Sequence, residues 1–186
     1  MAHETANTRR FWTIPNILTL VRFALIPLIL WLYIVPKEYF AAAIVVGISG
    51  FTDVIDGVIA RKFNMITDIG KIIDPIADKL TQATVIFCLA LRYKAMVVLF
   101  IAHVIKELAM GIMGLIALKH KSINSAKWYG KVSTIVLFWV IVIHLVFPNV
   151  PGTLTVCLVA ISLAVMAMAL GLYIKFYYSI LSKKSE

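Results

Sequence analysis

The sequence predicts an all-α, polytopic membrane protein. It has six transmembrane helices, both termini on the cytoplasmic side and a short polar N-terminal segment. Three observations carry this. Of the 186 residues, 62% are hydrophobic, whereas a soluble domain is about half apolar. The apolar residues gather into stretches near the ~20 residues that cross ~30 Å of hydrocarbon as a helix. The basic residues fall between those stretches and mostly on one side of them.

The elements follow in order. Met1–Trp12 is polar and carries Arg9 and Arg10. The apolar run behind it, Ile14 to Val35, is too long for a signal-peptide core, and no A-x-A-type site follows, so it reads as a retained first span. The six spans lie at about Asn16–Val35, Tyr39–Ala60, Ile72–Leu91, Ala95–Leu118, Val132–Phe147 and Leu154–Tyr177, the fifth beginning nearer Trp128. Pro36-Lys37-Glu38, Arg92-Tyr93-Lys94 and the turn Pro148 to Gly152 mark breaks. With this layout one side receives twelve Lys and Arg: Arg9, Arg10, Arg61, Lys62, Lys71 and seven lysines from Lys119 to Lys184. The other side receives three, Lys37, Arg92 and Lys94. The positive side is cytoplasmic. Arg22, Lys79 and Lys106 remain within spans. A net charge of +9 distributed in this way fits a membrane topology and not a nucleic-acid surface. Cys88 and Cys157 sit in apolar stretches as packing residues, with no C-x-x-C. The chain reads as one membrane domain over residues 1–186.

Against this background stand four aspartates in the frame D-x2-D-G-x2-A-R-x8-G-x3-D-x3-D: Asp53, Asp56, Asp74 and Asp78, with Gly57, Ala60, Arg61 and Gly70 between them. A carboxylate within an apolar span costs roughly 2.5–3.5 kcal/mol at mid-helix. Asp53, Asp56, Gly57 and Ala60 fall on one face of the second span. Gly70, Asp74 and Asp78 fall on one face of the third. A short turn through Phe63–Asp68 lets the two faces meet. Four converging carboxylates need cations, and hard oxygen donors favour two Mg²⁺ or Mn²⁺ ions, with Ca²⁺ also open. Two such ions can clamp a phosphoryl group. The small residues leave room for a flat base or a diphosphate, and Arg61 offers a bidentate fork to phosphate. Simple pairing of the acids with Lys62, Lys71 and Lys79 is the plainer alternative; the recurrence on two matching helical faces argues against it. Asp68 lies outside the frame, as a loop acid or helix cap.

The frame resembles the signature of the CDP-alcohol phosphatidyltransferases, with all eight positions filled. Ile14-Pro15-Asn16-Ile17-Leu18-Thr19-Leu20-Val21-Arg22 resembles the opening of the family's bacterial phosphatidylglycerophosphate synthases, as does Asp74-Pro75-Ile76-Ala77-Asp78-Lys79. The resemblance implies transfer of a phosphatidyl group from CDP-diacylglycerol to an alcohol, with release of CMP. It implies Asp53, Asp56, Asp74 and Asp78 at the metals and Asp78 as general base. It also implies Asn16, Thr19, Gly57, Ala60, Arg61, Thr67 and Gly70 at the CDP-lipid. Lys106 and Lys131 would hold the phosphate of a small acceptor, glycerol 3-phosphate first among candidates. A homodimer in a cell membrane, with the site facing the cytoplasm, is implied as well. One departure matters: the branch usually has Arg-Glu where this chain has Lys106-Glu107, and lysine does not reproduce the guanidinium fork. Inositol phosphate, serine and phosphatidylglycerol therefore stay open as acceptors.

Two other classes compete, a membrane diphosphate hydrolase and a divalent-cation transporter. A transporter places its acids near mid-membrane in broken helices, whereas these lie at one end of their spans. His103 and His144 have no partner at metal-ligand spacing and read as packing or interhelical hydrogen-bonding residues. Arg22 either faces a polar cavity or snorkels to the interface.

Overall fold

The computed structural model describes residues 13–63, 70–119, 128–147 and 149–182. These residues form α1 (Ile14–Ile34), α2 (Tyr39–Lys62), α3 (Gly70–Arg92), α4 (Lys94–Lys119), α5 (Trp128–Val146) and α6 (Gly152–Ser182), with no strand among them. Helices are the expected answer, because a chain in hydrocarbon must satisfy its own backbone donors and acceptors. Five of them, α1, α2, α4, α5 and α6, are long and apolar enough to cross a membrane. In α3, Lys71, Asp74, Asp78 and Lys79 all fall in the first ten residues, which makes that half of the helix polar. The helices group into two compact units, divided after Cys88.

In the first unit, α1 and α2 pack against one another. Pro15 stands in the first turn of α1, where its missing N–H is no loss, behind an extended Thr13 (φ −114°, ψ 154°). The buried stripe of α1 is Pro15, Asn16, Thr19, Arg22, Ile29 and Tyr33. Its first half is polar and its second apolar, so the helix has one buried face with two chemistries. Ala42, Ser49 and Asp56 of α2 are buried at seven-residue intervals, which also marks one face. Small side chains there let helix backbones approach closely. Pro36 ends the run of α1, and Lys37 turns the chain back with a left-handed φ of 56°. The Glu38 N–H then donates to the Leu32 carbonyl at 2.9 Å.

In the second unit, α6 packs on both α4 and α5. Its buried residues Thr155, Val159, Ser162, Met166 and Ala169 recur at three- and four-residue steps, one helical face. Tyr129, Ser133, Leu137, Val140 and His144 form the matching face of α5. The buried His144 is bonded at both ring nitrogens, Nδ1 to the Val140 carbonyl at 2.8 Å and Nε2 to Thr155 Oγ1 at 3.1 Å. Nδ1 therefore carries the proton, and the Thr155 hydroxyl shares its proton between Nε2 and the Pro151 carbonyl, 3.2 Å away. This is the interhelical hydrogen bond expected of His144. The Tyr93 ring meets its imidazole edge-on at 4.9 Å. At the other end of α5, Tyr129 and Tyr173 pack edge to face at 4.6 Å.

Candidate active site

The site is built by the α1–α2 hairpin and the start of α3. Arg22 lies twelve residues before the end of α1, and Asp53 fourteen residues after the start of α2. At 1.5 Å per residue those distances are about 18 and 21 Å, so the tight turn at 35–38 brings the two level. The 3.6-residue repeat then places Asp56 beside Asp53 on the same face.

Arg22 is the centre of the arrangement. Its guanidinium is buried, and Nη1 donates to Asp53 Oδ1. Nη2 donates to Asp56 Oδ2 at 2.7 Å and stands 4.0 Å from Asp74 Oδ1. Thr19, one turn earlier on α1, donates to the same Asp74 oxygen and shares its proton with the Pro15 carbonyl at 3.0 Å. The three acids differ in exposure: the Asp56 side chain is 5% exposed, Asp53 44% and Asp74 37%. The set thus runs from a buried floor to a wet rim.

Asp78 is held differently. Gln82, one turn further along α3, donates its amide to both carboxylate oxygens, at 2.9 and 3.0 Å. The Lys79 ammonium stands 3.6 Å away. Three of the predicted acids therefore gather on one guanidinium, and the fourth is fixed by neighbours on its own helix.

The other expected site residues are placed as follows. Asn16 and Thr19 are buried on the Arg22 face of α1. Thr19 meets Asp74, an acid the sequence had assigned to a metal. Gly57 is half-buried and Gly70 buried. Ala60 and Arg61 fall in the last turn of α2. Thr67 lies outside the described residues. Lys106 is paired with its neighbour Glu107 at 2.7 Å, and Lys131 is exposed in the first turn of α5. Both lysines belong to the second unit. Two contributors were not singled out from the sequence: Arg22 as the shared partner of the acids, and Gln82 as the partner of Asp78. The available signals were an intramembrane arginine, a functional candidate by default, and an amide four residues from an acid on a helix.

The donor chemistry suits a hard divalent cation. Asp53, Asp56 and Asp74 each meet Arg22 or Thr19 through one oxygen of a two-oxygen group. Among the described residues, however, no three acids are grouped closely enough to ligate one ion. Asp53, Asp56 and Asp74 face the Arg22 guanidinium.

The fold and site define a helical, multi-pass membrane protein with an acid cluster at one end of a helix hairpin. The chain belongs to the CDP-alcohol phosphatidyltransferase family, whose model matches residues 12–174. It is 30% identical over 137 residues to a CDP-diacylglycerol–glycerol-3-phosphate 3-phosphatidyltransferase of Bacillus subtilis, covering 66% of this chain and 71% of that protein. An enzyme of the same name from Rickettsia bellii is 42% identical over 78 residues, 41% of this chain and 43% of the relative. A cardiolipin synthase (CMP-forming) of Streptomyces coelicolor is 42% identical over 78 residues, 39% of this chain and 36% of the relative. The matched segment thus spans less than half the length of the latter two proteins.

Proposed function

We propose that the protein transfers a phosphatidyl group from CDP-diacylglycerol to an alcohol acceptor and releases CMP, with glycerol 3-phosphate as the acceptor. The observation that carries this reading is the complete acid frame on a chain matched by the family over residues 12–174. Three of its acids share a cation while the fourth stands apart on Gln82. That division suits Asp53, Asp56 and Asp74 as ligands and Asp78 as a base that also touches one ion.

The residues act as follows. Asp78, oriented by Gln82, accepts the proton of the acceptor hydroxyl. The alcohol oxygen bonds to the lipid-bearing phosphorus, the bond from that phosphorus to the bridging oxygen breaks, and CMP leaves with the electron pair. Asn16, Thr19, Gly57 and Gly70 line the approach of the cytidine diphosphate, and Arg61 in the last turn of α2 pairs with a phosphate oxygen. Members of this family generally depend on a divalent metal. Asp53, Asp56, Asp74 and Asp78 would hold two Mg²⁺ or Mn²⁺ ions, which offset the charge developing on the diphosphate. Lys131, with Lys106 released from Glu107, binds the acceptor phosphate. A single domain over residues 1–186, six crossings, a homodimer, and a site facing the cytoplasm of a cell membrane complete the reading.

The cardiolipin synthase relatives favour a second acceptor, phosphatidylglycerol. The test is an acceptor screen. Purified protein receives CDP-diacylglycerol and Mn²⁺, and CMP is followed with glycerol 3-phosphate, phosphatidylglycerol, inositol phosphate, serine or water alone. Release that needs glycerol 3-phosphate supports the primary reading. Release with phosphatidylglycerol selects the second. Equal release with water indicates a hydrolase, and none with any acceptor removes the transferase reading.

A further inference from the structure

We propose that Arg22 is the resident counter-cation of the acid site: it holds Asp53, Asp56 and Asp74 together in the metal-free protein and gives them up as divalent ions load. The proposal rests on the metal-dependent reading above, and it concerns a residue outside the eight-position frame.

Three observations support it. The Arg22 side chain is 2% exposed, so its charge has little water and depends on the acids for stabilisation. Its two terminal nitrogens are divided among different acids instead of forming a fork on one, and its buried Nε has no hydrogen-bond partner among the described residues. A guanidinium placed to serve a single carboxylate would present two parallel N–H groups to it. This one spans a set. Finally, the acid oxygens that a divalent ion would need are the ones that Arg22 and Thr19 already occupy. Ion loading therefore requires the acids to exchange one cation for another.

Exposure gives the order of exchange. Asp53 and Asp74 are 44% and 37% exposed and meet an incoming ion first, whereas Asp56, at 5%, is the last to leave Arg22. The reverse role is a static one, in which Arg22 stays in place and preorganises the acids as ligands. The two roles predict opposite signs. A divalent ion about 5 Å from a guanidinium is disfavoured by roughly tenfold or more in affinity even at the dielectric constant of water. A competitor therefore weakens metal binding, and its removal strengthens it. A static support strengthens binding, and its removal weakens it.

The test is a Mn²⁺ titration of the full chain in lipid nanodiscs, read by electron paramagnetic resonance of the free ion, with thermal unfolding in parallel. Wild type, Arg22→Gln and Arg22→Lys are compared. Arg22→Gln is expected to bind Mn²⁺ about tenfold more tightly. It should also unfold at a lower temperature in chelator and gain more from Mn²⁺ than wild type does. Arg22→Lys falls between them. Unchanged or weaker Mn²⁺ binding by Arg22→Gln, with wild type binding normally, overturns the proposal and leaves the metal-dependent reading standing. Absence of Mn²⁺ binding by wild type removes both. Should Arg22→Gln not fold, arginine-selective ¹⁵N spectra of wild type decide, with the Arg22 resonances assigned from their loss in Arg22→Lys. Saturating Mg²⁺ should move the Arg22 Nη resonances, and their staying fixed overturns the proposal.

Discussion

Asparagine at position 56 tests how the acids are held, because it keeps the shape of the side chain and removes its charge. Asp56 is 5% exposed and accepts from Arg22 at 2.7 Å, and Arg22 is itself 2% exposed. Neutralising Asp56 replaces a charge-assisted hydrogen bond to a buried guanidinium, worth roughly 1.5–3 kcal/mol, while Asp53 and Asp74 still face that charge. The amide oxygen still accepts a hydrogen bond, which puts Asp56→Asn near the lower figure, about 1.5 kcal/mol. Asp53 meets the same guanidinium, but its side chain is 44% exposed. Water already screens that pair, so Asp53→Asn costs about 0.5 kcal/mol. The assay is unfolding in detergent, followed by tryptophan fluorescence in excess chelator so that bound metal does not enter. Both variants lose activity on this account, and the separation lies in stability alone. Equal losses, or a larger loss for Asp53→Asn, would refute the picture of a buried floor and a wet rim.

Other outcomes follow from the same geometry. Asp78→Asn should lower turnover by about 10²–10⁴-fold while leaving Mn²⁺ and CDP-lipid binding in place; near-normal CMP release would remove Asp78 as the base. A methyl group at Gly130 would stand 2.5 Å from the Tyr173 hydroxyl oxygen and 3.2 Å from two ring carbons. Gly130→Ala should therefore destabilise by about 1–3 kcal/mol, and adding Tyr173→Phe should recover much of the loss in a double-mutant cycle. Thr155→Val leaves the buried His144 Nε2 without its hydroxyl partner and should cost about 1–3 kcal/mol of unfolding free energy. The His144→Phe, Thr155→Val pair should cost less than the sum of the single changes.

The helices were legible in the sequence because lipid leaves a long apolar run few alternatives. The expected span Tyr39–Ala60 is α2, Tyr39–Lys62, and Ala95–Leu118 is α4, Lys94–Lys119. The differences lie at the ends of the helices. Thus α6 runs to Ser182, beyond its expected end at Tyr177. The expected third span, Ile72–Leu91, lies within α3, Gly70–Arg92, although Asp74 and Asp78 interrupt its apolar character early. For the site, helical periodicity alone put Asp53 with Asp56 and Asp74 with Asp78. What it did not give was the partner across helices. Arg22 lies 31 and 34 residues from Asp53 and Asp56, a pairing fixed by the turn at 35–38 and not by any local repeat. A snorkelling arginine and a buried one have the same sequence pattern. Thr19 illustrates the same limit: its helical neighbour Pro15 was foreseeable, whereas Asp74, 55 residues away, was not.

The central claim is that these acids serve metal-dependent transfer from a CDP-linked lipid. Its most direct test is CMP release from CDP-diacylglycerol and glycerol 3-phosphate by one preparation, first in excess chelator and then after Mn²⁺ is restored. The account predicts no release in chelator and full, acceptor-dependent release on restoration. Steady CMP production throughout the chelated interval would contradict it.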